Sequence, residues 1–180
     1  MEWLADRVHM GEADIAIGPD RTVPSNVLRT RLYRSDWVVW CAPQHELRRR
    51  RALCWSDLEG TTVFSAGRDY EHNVVPLLAE HGEYMRAKSM HVVENFSTAL
   101  GMSAAGLGIT FSPDYVAPLA SLLGLLMRPL RKPSIRRQVC LYEPRESRLS
   151  DAAIDFRNFM VATLRAAERR RKPSAKNHRT

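Results

Sequence analysis

The sequence predicts an α/β fold, and three observations carry the prediction. Short apolar runs closed by glycine or proline alternate along the chain with segments whose apolar residues recur at helical spacing. Two of those runs, Asp14-Ile-Ala-Ile-Gly18 and Trp37-Val-Val-Trp-Cys-Ala42, are continuous, the pattern of strands covered on both faces. Hydrophobic residues make up 44% of the 180 and charged residues 26%, enough apolar side chain for a packed core and too little charge for general disorder. Helices and strands in alternation predict mainly parallel sheets.

Residues 2–10 carry Trp3, Leu4, Val8 and Met10 at near-helical spacing, with Gly11 as a stop. Residues 14–18 read as a buried strand, 20–27 as turns, and 28–33 as a half-buried strand with Leu28, Thr30 and Leu32 opposite Arg29, Arg31 and Tyr33. Residues 37–42 form a second strand, ended by Pro43. The segment 55–60 reads as a single helical turn, and 61–64 as a strand running into Ser65-Ala-Gly67. Asp69 caps a helix over 70–81 with Val74, Leu77, Leu78 and His81 on one face. Residues 91–94 are a strand. Ser97 or Thr98 caps a helix to Ala105, and Gly106 ends it. Residues 108–112 form the next strand, Pro113 opens a short helix through Leu119, and 125–130 and 136–142 are strands. Ser150 caps a last amphipathic helix with Ile154, Phe156, Phe159, Met160 and Leu164 on its apolar face.

The net charge of +7 is concentrated at one end. Seven basic residues and a single acid between Arg165 and Thr180 account for +6 of it, so residues 166–180 read as a basic disordered tail. A second run, Arg48 to Arg51, reads as a solvated loop. No apolar run reaches the roughly 18–20 residues that span a bilayer, and the first residues lack the basic start and apolar stretch of a secretory signal. The expected location is the cytoplasm, with no membrane partner. Cys41, Cys54 and Cys140 are odd in number and form no CxxC pair, which argues against a zinc site or a disulfide framework. His45, His72, His81 and His91 show no HxH or HExxH spacing, and neither GxSxG nor a P-loop occurs. Gly101, Gly106 and Gly108 are spaced G-x-x-x-x-G-x-G, which is not the dinucleotide pattern. No catalytic residue, cofactor or metal is expected.

Six segments follow one another in an informative order: Gly11-Glu-Ala-Asp-Ile-Ala-Ile-Gly18; Asp36-Trp-Val-Val-Trp-Cys-Ala-Pro-Gln-His-Glu-Leu47 after Leu32; Leu53-Cys-Trp-Ser-Asp-Leu58; Ser97 through Thr110; Arg128-Pro-Leu130; and Phe156-Arg-Asn-Phe159. In this order they resemble the effector-binding domain of LysR-type transcriptional regulators over residues 1 to about 165. The resemblance implies a type 2 periplasmic-binding-protein-like fold, with two α/β lobes joined by crossover strands around a small-molecule effector. The expected division puts lobe I at residues 1–31 and 136–165 and lobe II at 32–135. It implies a homo-dimer or tetramer and a role in sensing rather than catalysis. Family members begin with a winged helix-turn-helix and then enter the first lobe through strand, helix and strand. None of these is seen before Met1, so the expectation is an N-terminally truncated domain with an incomplete first lobe, half of the ligand site, and DNA contact only through an absent domain. The alternative reading is a solute-binding protein of the same fold that serves a transporter.

Candidate effector-binding residues follow from position. A helix starting near Ser97 leaves its first N–H groups unpaired and carries partial positive charge there, so a carboxylate or phosphate suits it. Ser97 and Thr98 add hydroxyls, and Phe96 offers a face for an aromatic ligand. Ser65, Ala66 and Gly67 close a strand whose carboxyl end faces the cleft in open α/β sheets, and Arg68 next to them suits an acidic effector. Gly18, Pro19 and Phe111 end other strands. The partner expected is thus a small-molecule effector, a carboxylate or aromatic acid.

Overall fold

The structure, a computed structural model, describes residues 4–66, 74–82, 85–146 and 149–171. It divides into two units, Met1–Arg34 with Arg137–Thr180, and Ser35–Arg136.

The first unit contains α1 (Leu4–His9), β1 (Ala16–Pro19), the first half of β2 (Val27–Cys41), and, after the return from the second unit, most of β8 (Arg136–Pro144) and all of α5 (Asp151–Arg171). β8 lies between β1 and β2, antiparallel to β1, with Ala16 opposite Tyr142 and Pro19 opposite Val139. Ala5 and Val8 of α1 pack with Ala16, Val27, Cys140 and Tyr142. Ser150 caps α5, its Oγ accepting from the Ala153 N–H at 3.2 Å.

The face α5 turns inward differs from the expected one. Ala153 is buried, and Ile154, Arg157, Met160, Val161 and Leu164 are half-buried, whereas Phe156 is 53% and Phe159 65% exposed. Residues 153, 157, 160, 161 and 164 share one helical face, and Arg157 is tolerated there because Glu143 of β8 takes its guanidinium at 3.0 Å. The expected disordered tail at 166–180 is corrected over its first six residues. Residues 166–171 continue α5, and 172–180 lie outside the described residues.

The second unit contains the rest of β2, β3 (Leu53–Cys54), β4 (Thr62–Ala66), α2 (Val75–Glu80), β5 (Ser89–Val93), α3 (Phe96–Ala104), β6 (Ile109–Pro113), α4 (Ala117–Leu122) and β7 (Leu126–Arg131). Short 3-10 turns, Glu46–Arg49, Trp55–Leu58 and Asp114–Val116, link some of them. The strands run in the order β3-β7-β2-β6-β4-β5. β4 is parallel to β5 and β6, and β3 to β7. β2 is antiparallel to both β6 and β7. The expectation of mainly parallel sheets is therefore corrected to mixed sheets. Strands joined through helices run one way, and β2 enters from the other unit in the opposite sense.

Helices cover both faces of this sheet. Val74 and Leu78 pack with Val39, Cys41, Val63, Ile109 and Phe111. Leu100 of α3 and Ala120 of α4 pack with Val38, Trp40 and Ala42 on the other face. The continuous apolar run 37–42 is thereby buried on both faces, as its composition predicts. Two buried polar side chains of the sheet are satisfied within it: Trp40 Nε1 donates to Ser112 Oγ at 2.8 Å, and Thr110 Oγ1 to the Phe64 carbonyl at 2.6 Å.

Several local expectations are revised. The two strands expected at 28–33 and 37–42 are one, β2. The polar triplet Arg34-Ser-Asp36 stays extended because Ser35 donates to Asp114 at 2.6 Å and Asp36 pairs with Arg136 at 3.1 Å. His81 is exposed rather than on the buried face of α2. The expected cap Asp69 and residues 70–73 lie outside the described residues. The helix after Pro113 is a 3-10 turn followed by α4.

Two glycines of the α3–β6 segment yield opposite predictions. A Cβ at Gly108 would stand 2.4 Å from the Thr62 carbonyl oxygen, whereas one at Gly101, inside α3, would meet nothing within 4 Å. Gly108→Ala is expected to cost about 1–3 kcal/mol and Gly101→Ala to stabilise by about 0.5–1 kcal/mol. Urea denaturation of the two variants checks both signs. The thiols make a second prediction. Cys41 and Cys140 are buried, and burial pushes both thiols up, Cys140 to about 11 with a further contribution from the Asp20 carboxylate. Only a thiolate reacts, and these two stay protonated well above neutrality. At pH 8 a thiol reagent should label only the half-buried Cys54, and all three cysteines once urea is added. Rapid labelling of three thiols in the folded protein would contradict the packing.

Candidate functional site

In the second unit the chain leaves β4 over one face of the sheet, through α2, and enters β5. It leaves β5 over the other face, through α3, and enters β6. β4 lies between β5 and β6, so the carboxyl ends of β4 and β5 mark the point where the winding reverses, the place where open α/β sheets bind ligands. Ala66 at the end of β4 pairs with Val93 at the end of β5, and α3 starts three residues later.

The start of α3 is held by Asn95, which the expectation passed over in favour of Ser97 or Thr98. Asn95 is extended (φ −141°, ψ 161°), and its Oδ1 accepts the Thr98 N–H at 3.3 Å. The same oxygen accepts Ser97 Oγ and Thr98 Oγ1, each at 2.8 Å. Both hydroxyls therefore serve the cap while remaining exposed. The signal was legible, since asparagine ranks with serine as a cap and sits directly before the apolar stretch. The N–H groups of Phe96 and Ser97 have no intrahelical acceptor, by the geometry of a helix start.

Of the expected residues, the structure brings Ala66 and Phe96 together. Phe96 is half-buried and packs on the cluster of Phe64, Ala66 and Ala99, at the edge where Ser97 and Thr98 are exposed. Ser65 is also at this strand end, but only 1% exposed. Gly67 and Arg68 lie outside the described residues. Phe111 is a correction. It is 1% exposed, with its ring 5.6 Å from that of Trp37 and 6.0 Å from that of Trp55. Alternation along β6 points Ile109 and Phe111 into the core, so this side chain serves packing.

In the first unit, Gly18 and Pro19 end β1 and line a concavity of about 280 Å³ together with Leu4, Arg21, Thr22 and Tyr142. The Tyr142 hydroxyl donates to the Pro19 carbonyl and accepts the Arg21 N–H at 3.1 Å, fixing the turn after β1. Burial, then the neighbouring Cys140, pushes this phenol up to about 12, so it stays neutral. Arg21, Thr22 and Tyr142 were not foreseen. Tyr142 lies more than a hundred residues from Pro19, and only the β1–β8 register joins them. Among the described residues, no group of His, Cys, Asp and Glu could hold a metal, and no helix is long and apolar enough to cross a membrane.

Comparison with known proteins agrees with this architecture. The HTH-type transcriptional regulator YbhD of Escherichia coli strain K12, itself uncharacterized, is 25% identical over 151 residues, 84% of this chain. The chain spans about half of that relative, 48% of its length. The effector-binding domain of QuiR in complex with shikimate superposes with a TM-score of 0.72 at 16% identity, covering 89% of this chain and 76% of that one. The regulatory domain of CcmR from Synechocystis PCC6803, in complex with 2-PG, gives 0.68 at 15% identity, covering 88% and 77%. These likenesses establish the fold expected of the type 2 periplasmic-binding-protein class. The LysR substrate binding domain family matches residues 1–165, the span over which the six ordered segments run, and the chain belongs to that family.

Proposed function

We propose that this chain is the small-molecule-sensing part of a bacterial transcription regulator, acting in the cytoplasm by binding rather than catalysis. DNA reading by a helix-turn-helix would belong to a segment outside these residues. The observation that carries the reading is the start of α3. Two unused backbone N–H groups, two hydroxyls and a half-buried aromatic ring gather there at the reversal point of the sheet. That set suits a small carboxylate or an aromatic acid. Phe96, Ser97 and Thr98 are the proposed contacts, with the strand end Ser65 and Ala66 behind them and Gly67 and Arg68 following in sequence. Gly18 and Pro19 are proposed as the contribution of the first unit, through its own concavity. That domains of this fold are solved with shikimate and with 2-PG supports the ligand class.

We also infer that the chain self-associates as a dimer or tetramer. The large exposed rings of Phe156 and Phe159 on α5 and the edge strand β1, bonded on one side only among the described residues, both favour burial against another copy.

A thermal-shift screen of small carboxylates and aromatic acids tests the sensing role, since a ligand selective for the folded state raises its melting temperature. With the ligand so found, Phe96→Ala and Thr98→Val should each weaken binding about 5- to 30-fold, the scale of one lost contact of ~1–2 kcal/mol, without loss of the folded state. Unchanged affinity of both variants in calorimetry would remove the α3 start from the site. Sedimentation at micromolar concentration should show a species larger than a monomer, and a clean monomer would contradict self-association.

A further inference from the structure

Helix α5 runs over 21 residues, Asp151–Arg171, about 31 Å at 1.5 Å per residue. Its inward face holds Ala153, Ile154, Arg157, Met160, Val161 and Leu164, which are buried or half-buried. A second stripe lies about a third of a turn away. Ala152, Phe156, Phe159, Thr163 and Ala166 are all exposed, and they follow one another in steps of 4, 3, 4 and 3 residues. That spacing is the seam of a helix pair, in which side chains of one helix enter the gaps of the other. The stripe is uneven in size. Its first half carries the two rings, 53% and 65% exposed, and its second half carries Thr163 and Ala166. Charge is uneven along the same direction. Asp151 and Asp155 are exposed on the first half, and Asp14 lines a groove together with Ala152 and Phe156. The cation of this half, Arg157, is taken by Glu143 at 3.0 Å. Arg165 is exposed on the second half, and the sequence goes on to Arg169, Arg170 and Arg171 against the single acid Glu168.

What the first half lacks, small side chains and positive charge, the second half carries. A second copy of the same stripe, turned end to end, therefore complements it. We propose that α5 is an interface for a second copy of this chain, with two α5 helices packed antiparallel about a two-fold axis at the level of Val161. Phe156 then meets the partner's Ala166, and Phe159 meets the partner's Thr163, so that each layer joins one large and one small side chain. Each contact occurs twice, as a two-fold axis requires. The acidic half of each helix lies along the basic half of the other, and each helix start lies beside a helix end of opposite partial charge. A parallel pair would set ring against ring, alanine against alanine and like charge against like charge. The inward face of α5 stays on its own sheet throughout. This pairing rests on the self-association proposed above and assigns it to one helix face and one direction.

Sedimentation of the 180-residue chain over a range of concentration measures the dimer dissociation constant. Phe156→Ala should raise it at least about tenfold, since the change removes a buried ring twice per dimer. Ala166→Phe should raise it likewise, because the added ring meets the partner's Phe156. Unspecific apolar association would instead grow stronger with one more exposed ring. Both positions are exposed in the single chain, so circular dichroism should show the parent fold in each variant. Direction is read from disulfides in a Cys54→Ser background. A chain with Phe159→Cys, oxidised together with one carrying Thr163→Cys, should give a covalent dimer of the two, and neither chain alone should give one. Association of parent strength in both the Phe156→Ala and Ala166→Phe chains would overturn the α5 interface while leaving self-association in place. Covalent dimers in equal yield from the Phe159→Cys chain alone would overturn the antiparallel direction. A monomeric parent would overturn self-association itself, and the interface with it.

Discussion

The second unit depends on β2. It is fifteen residues long and its last five are all buried. Two hydrophobic clusters meet at this strand, with Trp37, Val39 and Cys41 in one and Val38, Trp40 and Ala42, just past its end, in the other. β6 and β7 bond to its two edges. A central strand of this kind admits no register slip, because a shift of one residue would exchange the two cores. Trp40, next to its last residue, is further constrained, since a buried indole N–H needs an acceptor and finds it in Ser112. The same strand is one of the two covalent connections between the units. The polar triplet at residues 34–36 therefore sits where the chain must stay extended while leaving one core and entering the next.

That requirement explains which parts of the fold were legible. Runs that are apolar on both faces, such as 37–42 and 109–111, announce themselves by composition. Glycine after α3 and serine before α5 mark helix ends for stereochemical reasons that hold in any protein. Strand direction was not legible, because alternation of helix and strand says nothing about a strand that arrives from another unit. The inward face of α5 was misread because Phe156 and Phe159 are more apolar than Arg157. Burial follows the helical angle, however, and Glu143 makes the inward arginine affordable. Hydrophobicity decides which face is buried only when the residues on that face have no polar partner waiting.

The site was legible in part for a related reason. Phe96, Ser97 and Thr98 are neighbours in sequence, so a local reading places them correctly at one helix start. The cap was assigned two or three residues late, yet the error changes the chemistry. With Asn95 holding the cap, the two hydroxyls are bound to its oxygen rather than to the backbone, and each can exchange that partner for a ligand at small cost. Phe111 fails as a site residue because the end of a strand is not the end of its core-facing pattern. The Tyr142–Pro19 contact was beyond a local reading, since it depends on a register between strands at opposite ends of the chain.

Charge shows the same limit most clearly. Summed along the sequence, the excess lies in the last sixteen residues, and the four arginines at 48–51 look like an ordinary solvated run. Only the β3–β7 register, with Leu53 opposite Leu130 and Cys54 opposite Arg131, shows that this run precedes the pairing while Arg131 and Lys132 end it. Net charge is a property of composition, but a charged surface is a property of topology. Fold alone does not assign a partner either, since domains sharing this fold at 15–16% identity are solved with different small molecules. What is particular to this chain lies in the polar groups at the start of α3, where the first backbone amides have no intrahelical acceptor and Asn95 holds two exposed hydroxyls. Those groups suit the small anion proposed above, and they are set by the local sequence at one helix start rather than by the fold shared with other domains.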